Sequence, residues 1–354
     1  MPDYSLLYRK LFLQKQAKFL NQYGNLFGKV ANDVSQLVNN PSAKFAKAFQ
    51  FNKTIDSGLS QIITTFNKDS LKLQVSNIEG SWGIANQKND AIVNEYLSLL
   101  GNLKEITANP LFAASVNFSP NTSALEAFIT RKFGSENLSD RVWKIGDQLR
   151  NEMEIHLGVG IMNGDSSEVI SRRIRQYLQK PDDLFRRVKN EAGHLIPSNA
   201  MTENAPGKGV YNSAYKNAMR LARTETNMAF QLADHERWMN MQMVTGQRIE
   251  LSGSHPDYNY PEICEELEGD YPKEFIFAGW HVQCLCHVVP IMMPKDDFRS
   301  FLRGETKTIE PKQLKDYPSN FEAYLKANAE KFTSEKNTPY WFSNNAEIIR
   351  AVVK

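Results

Sequence analysis

All three cysteines of this 354-residue chain, and three of its six histidines, fall between His255 and His287. In chain order they are His255, Cys264, His281, Cys284, Cys286 and His287. Soft thiolate and imidazole donors together suit Zn²⁺, which takes about four of them tetrahedrally at ~2.0–2.3 Å. The two-residue gap between His281 and Cys284 lets one turn bring both side chains to one ion. Cys284 and Cys286 are spaced by two, so on a strand both thiols share one face, and Leu285 and His287 the other. His287 is thereby the weaker candidate, and the fourth donor comes from Cys264 or His255. The expected tetrad is Cys264, His281, Cys284 and Cys286, with His255 as the alternative ligand. Four protein donors leave no position for water, so such an ion staples the fold rather than hydrolysing anything. Two readings compete: a metal-free knot of buried thiols, and a catalytic metal or thiol.

Composition narrows the class. The chain is 41% hydrophobic and 23% charged, with a net charge of +2, and no apolar run approaches the roughly 18 residues that span a bilayer. No membrane role is expected, and the first residues do not read as a secretory signal. Three cysteines form no even disulfide framework, which points to a reducing compartment. The charge is uneven along the chain: residues 1–75 and 163–223 are basic, 224–274 acidic, and 275–290 hold no Asp, Glu, Lys or Arg.

Apolar periodicity predicts long N-terminal helices with breaks at Pro41-Ser42 and between Asn77 and Gly83, and turns at Asn109-Pro110 and Ser119-Pro120-Asn121. Leu138, Val142, Ile145, Leu149 and Met153 mark a helix capped by Ser139 or Asp140 and ending near Gly158. Asn163-Gly164-Asp165-Ser166 makes a turn and supplies the N-cap of a second helix, over Val169–Leu178. Residues 190–209 read as a loop, and Val210–Met243 as a third helix. Beyond Gly246 the period changes to two, giving a small β-rich unit with runs at Ile249–Leu251, Phe275–Phe277 and Val288–Ile291. The expected fold class is α+β, mostly helical, with a small C-terminal β-rich, zinc-stapled unit. Its parts are a helical N-terminal arm (1–135), a core module (136–292, helices 138–243 and metal unit 246–292) and a polar helical tail (293–354) with an apolar anchor at Pro339–Phe342.

Other motifs carry less chemistry. Arg223 and Glu225 on the third helix could grip a phosphate or act as acid and base; without a second carboxylate or a glycine-rich loop, the favoured reading is a polar knot to the β-unit. The acidic run Glu262, Glu265, Glu266, Glu268 and Asp270 lacks calcium-loop spacing and reads as a solvated face. Arg172, Arg173, Arg175, Arg186 and Arg187 are candidate phosphate contacts, non-specific and weakened by salt, or simply a helix exterior.

Taken in order, several of these elements resemble the phage Mu F-like family of head morphogenesis, or minor head, proteins. The matching stretches are Leu138–Trp143, Asn163–Ile170, Ala222–Thr226, Arg248–Glu250 with Ser254–Pro256, Cys264, and His281-Val-Gln-Cys284-Leu-Cys286 with Pro290. They cover about 138–291. The family's usual ending is His-Pro-x-Cys-Arg-Cys, where this chain has Val282 and Leu285. The resemblance implies a non-enzymatic protein present in few copies in a tailed-phage or prophage head, assembled in the host cytoplasm. Its implied partners are the portal and other capsid proteins, and its implied role lies in capsid assembly and DNA packaging or delivery. DNA itself is a non-specific candidate partner. The rival is a metal-dependent hydrolase or nuclease using Glu225 or His255 beside the ion. Residues 1–75, basic and with an apolar stripe longer than the core module can cover, are expected to form a docking arm.

Overall fold

A computed structural model describes residues 3–39, 53–101, 112, 116–162, 166–179, 187–189, 195–197, 213–253, 255, 262–305, 313–332 and 338–353. The expected breaks at Pro41-Ser42 and Asn109-Pro110 lie outside them. The helices are α1 (Tyr4–Asn39), α2 (Lys53–Ser98), α3 (Thr122–Thr130), α4 (Leu138–Met162), α5 (Ser167–Gln179), α6 (Ala214–Met239), α7 (Ile263–Glu266), α8 (Lys295–Leu302), α9 (Ser319–Phe332), α10 (Tyr340–Asn344) and α11 (Ala346–Val353). Strands β1 (Arg187–Lys189) and β2 (Leu195–Pro197) pair antiparallel, and β2 falls inside the stretch expected to be loop. Strands β3 (Val244–Glu250), β4 (Gly269–Tyr271) and β5 (His287–Met292) form an antiparallel sheet in the order β4-β3-β5. The fold is thus the expected α+β class, mostly helical with one small sheet late in the chain. None of the described helices is long and apolar enough to cross a membrane.

Local chemistry sets the helix starts. Asp3 caps α1 by accepting from the Leu6 amide at 3.0 Å. Helix α4 begins with a reciprocal box: Asn137 Oδ1 accepts from the Asp140 amide and Asp140 Oδ2 from the Asn137 amide, both at 2.9 Å. Asn137, rather than Ser139 or Asp140, is therefore the cap. Ser166 caps α5 as expected, 3.4 Å from the Val169 amide. The break expected between Asn77 and Gly83 does not occur, because α2 runs through it. Asn77 lies inside that helix and donates its side-chain amide to the Leu73 carbonyl at 2.9 Å, a bond that turns a loop-forming residue inward.

The chain divides into two compact units. One, here the helical unit, comprises residues 16–77 and 129–223; the other, here the knuckle unit, comprises 1–15, 78–128 and 224–354. The core of the helical unit joins Phe19, Tyr23, Phe27 and Val34 of α1 and Ile63 and Phe66 of α2 to Leu149, Met153, Ile170, Ile174 and Ala222. Phe27 meets Phe66 edge-on at 4.9 Å and Tyr215 at 5.1 Å. Most of the apolar stripe of α1 is core of this unit rather than an uncovered face, and of Leu7, Leu11, Leu20, Phe27, Val34 and Val38 only Leu7 and Leu11 are exposed.

The knuckle unit is built on aromatic contacts. Tyr271 and Phe275 pack at 4.8 Å, Phe275 and Phe321 at 5.4 Å, and Trp280 and Trp341 at 5.4 Å, geometries that add to plain area burial. Phe321 and Trp341, from the segment read as a polar tail, are fully buried in it.

Candidate metal centre

Three pieces of backbone deliver the donors. The short helix α7 carries Cys264, 1% exposed. A turn at 281–284 is closed by the Cys284 amide donating to the His281 carbonyl at 3.1 Å, with Gln283 in the left-handed region at φ +65°. Cys284 and Cys286 lie outside any strand, and β5 starts only at His287, so the two thiols do not share a strand face as expected. Just upstream, Gly279 has φ +110°, and a Cβ there would stand 3.0 Å from both Cys284 Cβ and the Tyr340 hydroxyl. Any larger residue would collide with the turn.

Cys264, His281 and Cys284 converge into a group that could hold a metal ion. Cys264 Sγ is 3.1 Å from His281 Nε2 and 3.7 Å from Cys284 Sγ. Tetrahedral Zn–S bonds of ~2.3 Å require sulfurs about 3.8 Å apart, so the thiol pair already has the spacing of a bound pair. His281 Nδ1 lies 2.8 Å from the Val282 carbonyl. A carbonyl only accepts, so Nδ1 carries the proton and Nε2 is the atom turned toward the thiols. Cys286 is fully buried but lies outside that three-residue group.

The electrostatics single out one thiolate. Cys284 is held well below the ordinary thiol range because its sulfur accepts from Cys264 and Cys286, with a further bond from the Trp280 backbone. Cys264 is pushed up chiefly by the bond it gives Cys284. Cys286 is pushed up as well; its bond with Cys264 favours the thiolate, but its bond to Cys284 and burial outweigh that. Buried Arg9 faces Cys284 and Cys286 as a cation, and burial lowers it to about 10. Its charge offsets the anionic sulfurs of a loaded site.

His255, the alternative ligand, forms a second overlapping group with Glu262 and Cys264. Its Nε2 is 2.7 Å from Glu262 Oε2, while Glu262 Oε1 is 3.2 Å from His281 Nε2. Glu262 therefore bridges two imidazoles and is no part of a solvated face; the acidic run concealed it. His287 Nε2 lies 3.5 Å from Glu250 on β3.

The remaining candidates lie elsewhere. Glu225 is 1% exposed whereas Arg223 is exposed. Arg172, Arg173 and Arg175 are exposed on α5, Arg186 lies outside the described residues, and Arg187 opens β1. Thr224 and Asn227, in the motif around Arg223 and Glu225, and Gln231, which sequence reasoning passed over, bond to the knuckle backbone: the Gln283 amide donates to Thr224 Oγ1 at 3.2 Å, Asn227 donates to the Cys284 carbonyl at 3.0 Å, and Gln231 to the Cys286 carbonyl at 3.0 Å. Their three- and four-residue spacing was the available signal. Comparison with family models, with curated proteins and with solved structures finds no match to this chain.

Proposed function

We propose that the chain is a non-enzymatic assembly protein, a minor head protein of the head-morphogenesis class its sequence resembles, whose knuckle unit is stapled by zinc on Cys264, His281, Cys284 and Cys286. The observation that carries the metal reading is the meeting of buried thiols with His281 Nε2 at a sulfur spacing of 3.7 Å. A Cys₃His set is closed, which favours a structural ion over a hydrolytic one. The burial of Glu225 also weighs against its serving as a base for bulk substrate. In this reading the chain acts with the portal and other capsid proteins in the virion head. The exposed arginines of α5 give packaged DNA a salt-sensitive, non-specific contact.

Metal content and coordination test the first half. Folded protein should carry one zinc per chain, and cobalt substitution should give the intense visible bands of a four-coordinate, thiolate-rich site that added azide leaves unchanged. Protein purified without chelator that carries no metal and takes up no cobalt would overturn the metal reading, and an azide-sensitive spectrum would favour the hydrolase. Mass spectrometry of purified virions tests the second half: the chain should be present beside the portal protein, and its absence would sink the assembly role.

A further inference from the structure

The backbone that carries three of the four proposed ligands is held by protein groups at five of its six carbonyls and at two of its amides. The His281 carbonyl accepts from the Tyr340 hydroxyl at 2.8 Å and from the Cys284 amide at 3.1 Å. The Val282 carbonyl faces His281 Nδ1, and the Cys284 and Cys286 carbonyls accept from Asn227 and Gln231. The Leu285 carbonyl accepts from Arg9 Nη2 at 2.5 Å, and the same guanidinium donates through Nη1 to Asn227 Oδ1 at 3.1 Å. The Gln283 amide, at a left-handed position that glutamine seldom occupies, is fixed by Thr224 Oγ1. Asn227, Gln231 and Arg9 are each under 5% exposed, so water does not compete for these bonds.

In a small zinc finger the ion itself orders the loop, and binding is folding. Here 281–286 is contacted from behind by α6, Arg9 and Tyr340. We propose that Thr224, Asn227, Gln231 and Arg9 are positioning residues that preorganise the knuckle, so that a thiophilic divalent cation enters and leaves a folded protein. This rests on the metal reading above. Because the loop is ordered beforehand, the ion's binding energy is not spent on ordering it, and affinity is raised accordingly. Loosening the loop from behind should then weaken the site although every sulfur and nitrogen donor remains. Supporting contacts of this kind typically change metal affinity about 10–100-fold.

The test uses the full chain, with Cd²⁺ as the probe for its thiolate charge-transfer absorption. Chelator-treated protein should keep its far-ultraviolet circular dichroism, and the Gln283 and Cys284 amides should remain protected from hydrogen exchange. Asn227→Leu and Gln231→Met should each lower Cd²⁺ affinity about tenfold or more, yet reach the wild-type absorption at saturation. Leu149→Ala, in the helical unit, should cost stability and leave affinity unchanged, which separates positioning from general destabilisation. Should Asn227→Leu fail to fold, Gln231→Met and Thr224→Val carry the comparison. Fast exchange of both amides in the metal-free wild type, or variants that bind as tightly as the wild type, would overturn the proposal. A wild type that binds no Cd²⁺ but keeps the two amides protected would sink the metal reading and leave the preorganised loop standing.

Discussion

Helix α2 buries its polar side chains in opposite ways where it runs through the two units of this chain. In the helical unit, Asn67 and Gln74 of α2 are fully buried with no hydrogen-bond partner among the described residues. In the knuckle unit, Lys88 of the same helix is equally buried but ion-paired to Asp234, whose other oxygen accepts from Asn89 at 2.8 Å; Asn89 in turn accepts from the Trp238 indole at 2.6 Å. Burial lowers Lys88 and raises Asp234, and each partner's charge opposes the shift. The first stretch of α2 tolerates idle polar groups in an apolar setting. Around Lys88 each polar group answers for another, and there the loss of one partner leaves an expensive remainder.

The largest effect should come from breaking that network. Lys88→Met strands a buried carboxylate and should cost about 3–5 kcal/mol in urea unfolding, whereas Lys88→Met with Asp234→Leu should recover most of it. A double variant as weak as the single one would mean that the pair itself, not the stranded charge, holds the unit.

Next in size is a pH effect confined to the helical unit. Burial raises Glu152 to about 7, against hydrogen bonds from Tyr177, the Ala214 amide and Gln148. The folded protein thus keeps a proton that the unfolded chain has lost, and stability falls as pH rises from the ordinary glutamate range to about 7. Burial lowers His156 to about 4, helped by the Arg173 charge, so its contribution is lost as pH falls from the ordinary histidine range toward that value. Glu152→Gln should therefore add about 2–3 kcal/mol at pH 8, add almost nothing near pH 4.5, and leave only the histidine slope. A gain independent of pH would refute the assignment.

The smallest effect probes the idle polar groups. A Cβ on Gly146 of α4 would overlap the Asn67 side chain, so Gly146→Ala should cost about 1–2 kcal/mol despite better helix propensity. With Asn67→Ala alongside, the same change should become neutral or stabilising. If the double variant shows no such rescue, the contact does not set the packing of α4 on α2.

How much of this was legible beforehand follows from the range of each signal. The stripe from Leu138 to Met153 is local and periodic, and it gave α4 directly. The crowding of cysteine and histidine gave Cys264, His281 and Cys284 without any knowledge of the turn that joins them. What failed needed the partner of each polar side chain, near or remote. Asn77, Ser81 and Gly80 look like a break, yet the Asn77 side chain bonds back to its own helix, and Gly80 is where α2 leaves room for Lys15. Asn227 and Gln231 look like the wet face of a helix until the backbone carbonyls they serve come into view. Glu262 was hidden among acidic neighbours that do face solvent.

The Tyr340 hydroxyl on the His281 carbonyl also ties the centre to the order of synthesis. All four proposed ligands leave the ribosome more than fifty residues before Tyr340 does, and before Asn345, which bonds to both the amide and the carbonyl of Ile276. A nascent chain halted in that interval would have every thiol but not the hydroxyl that fixes the turn, nor Trp341 against Trp280. Such a product should react readily with thiol reagents that the finished protein resists. The knuckle is, in effect, a record of whether translation reached α10 and α11.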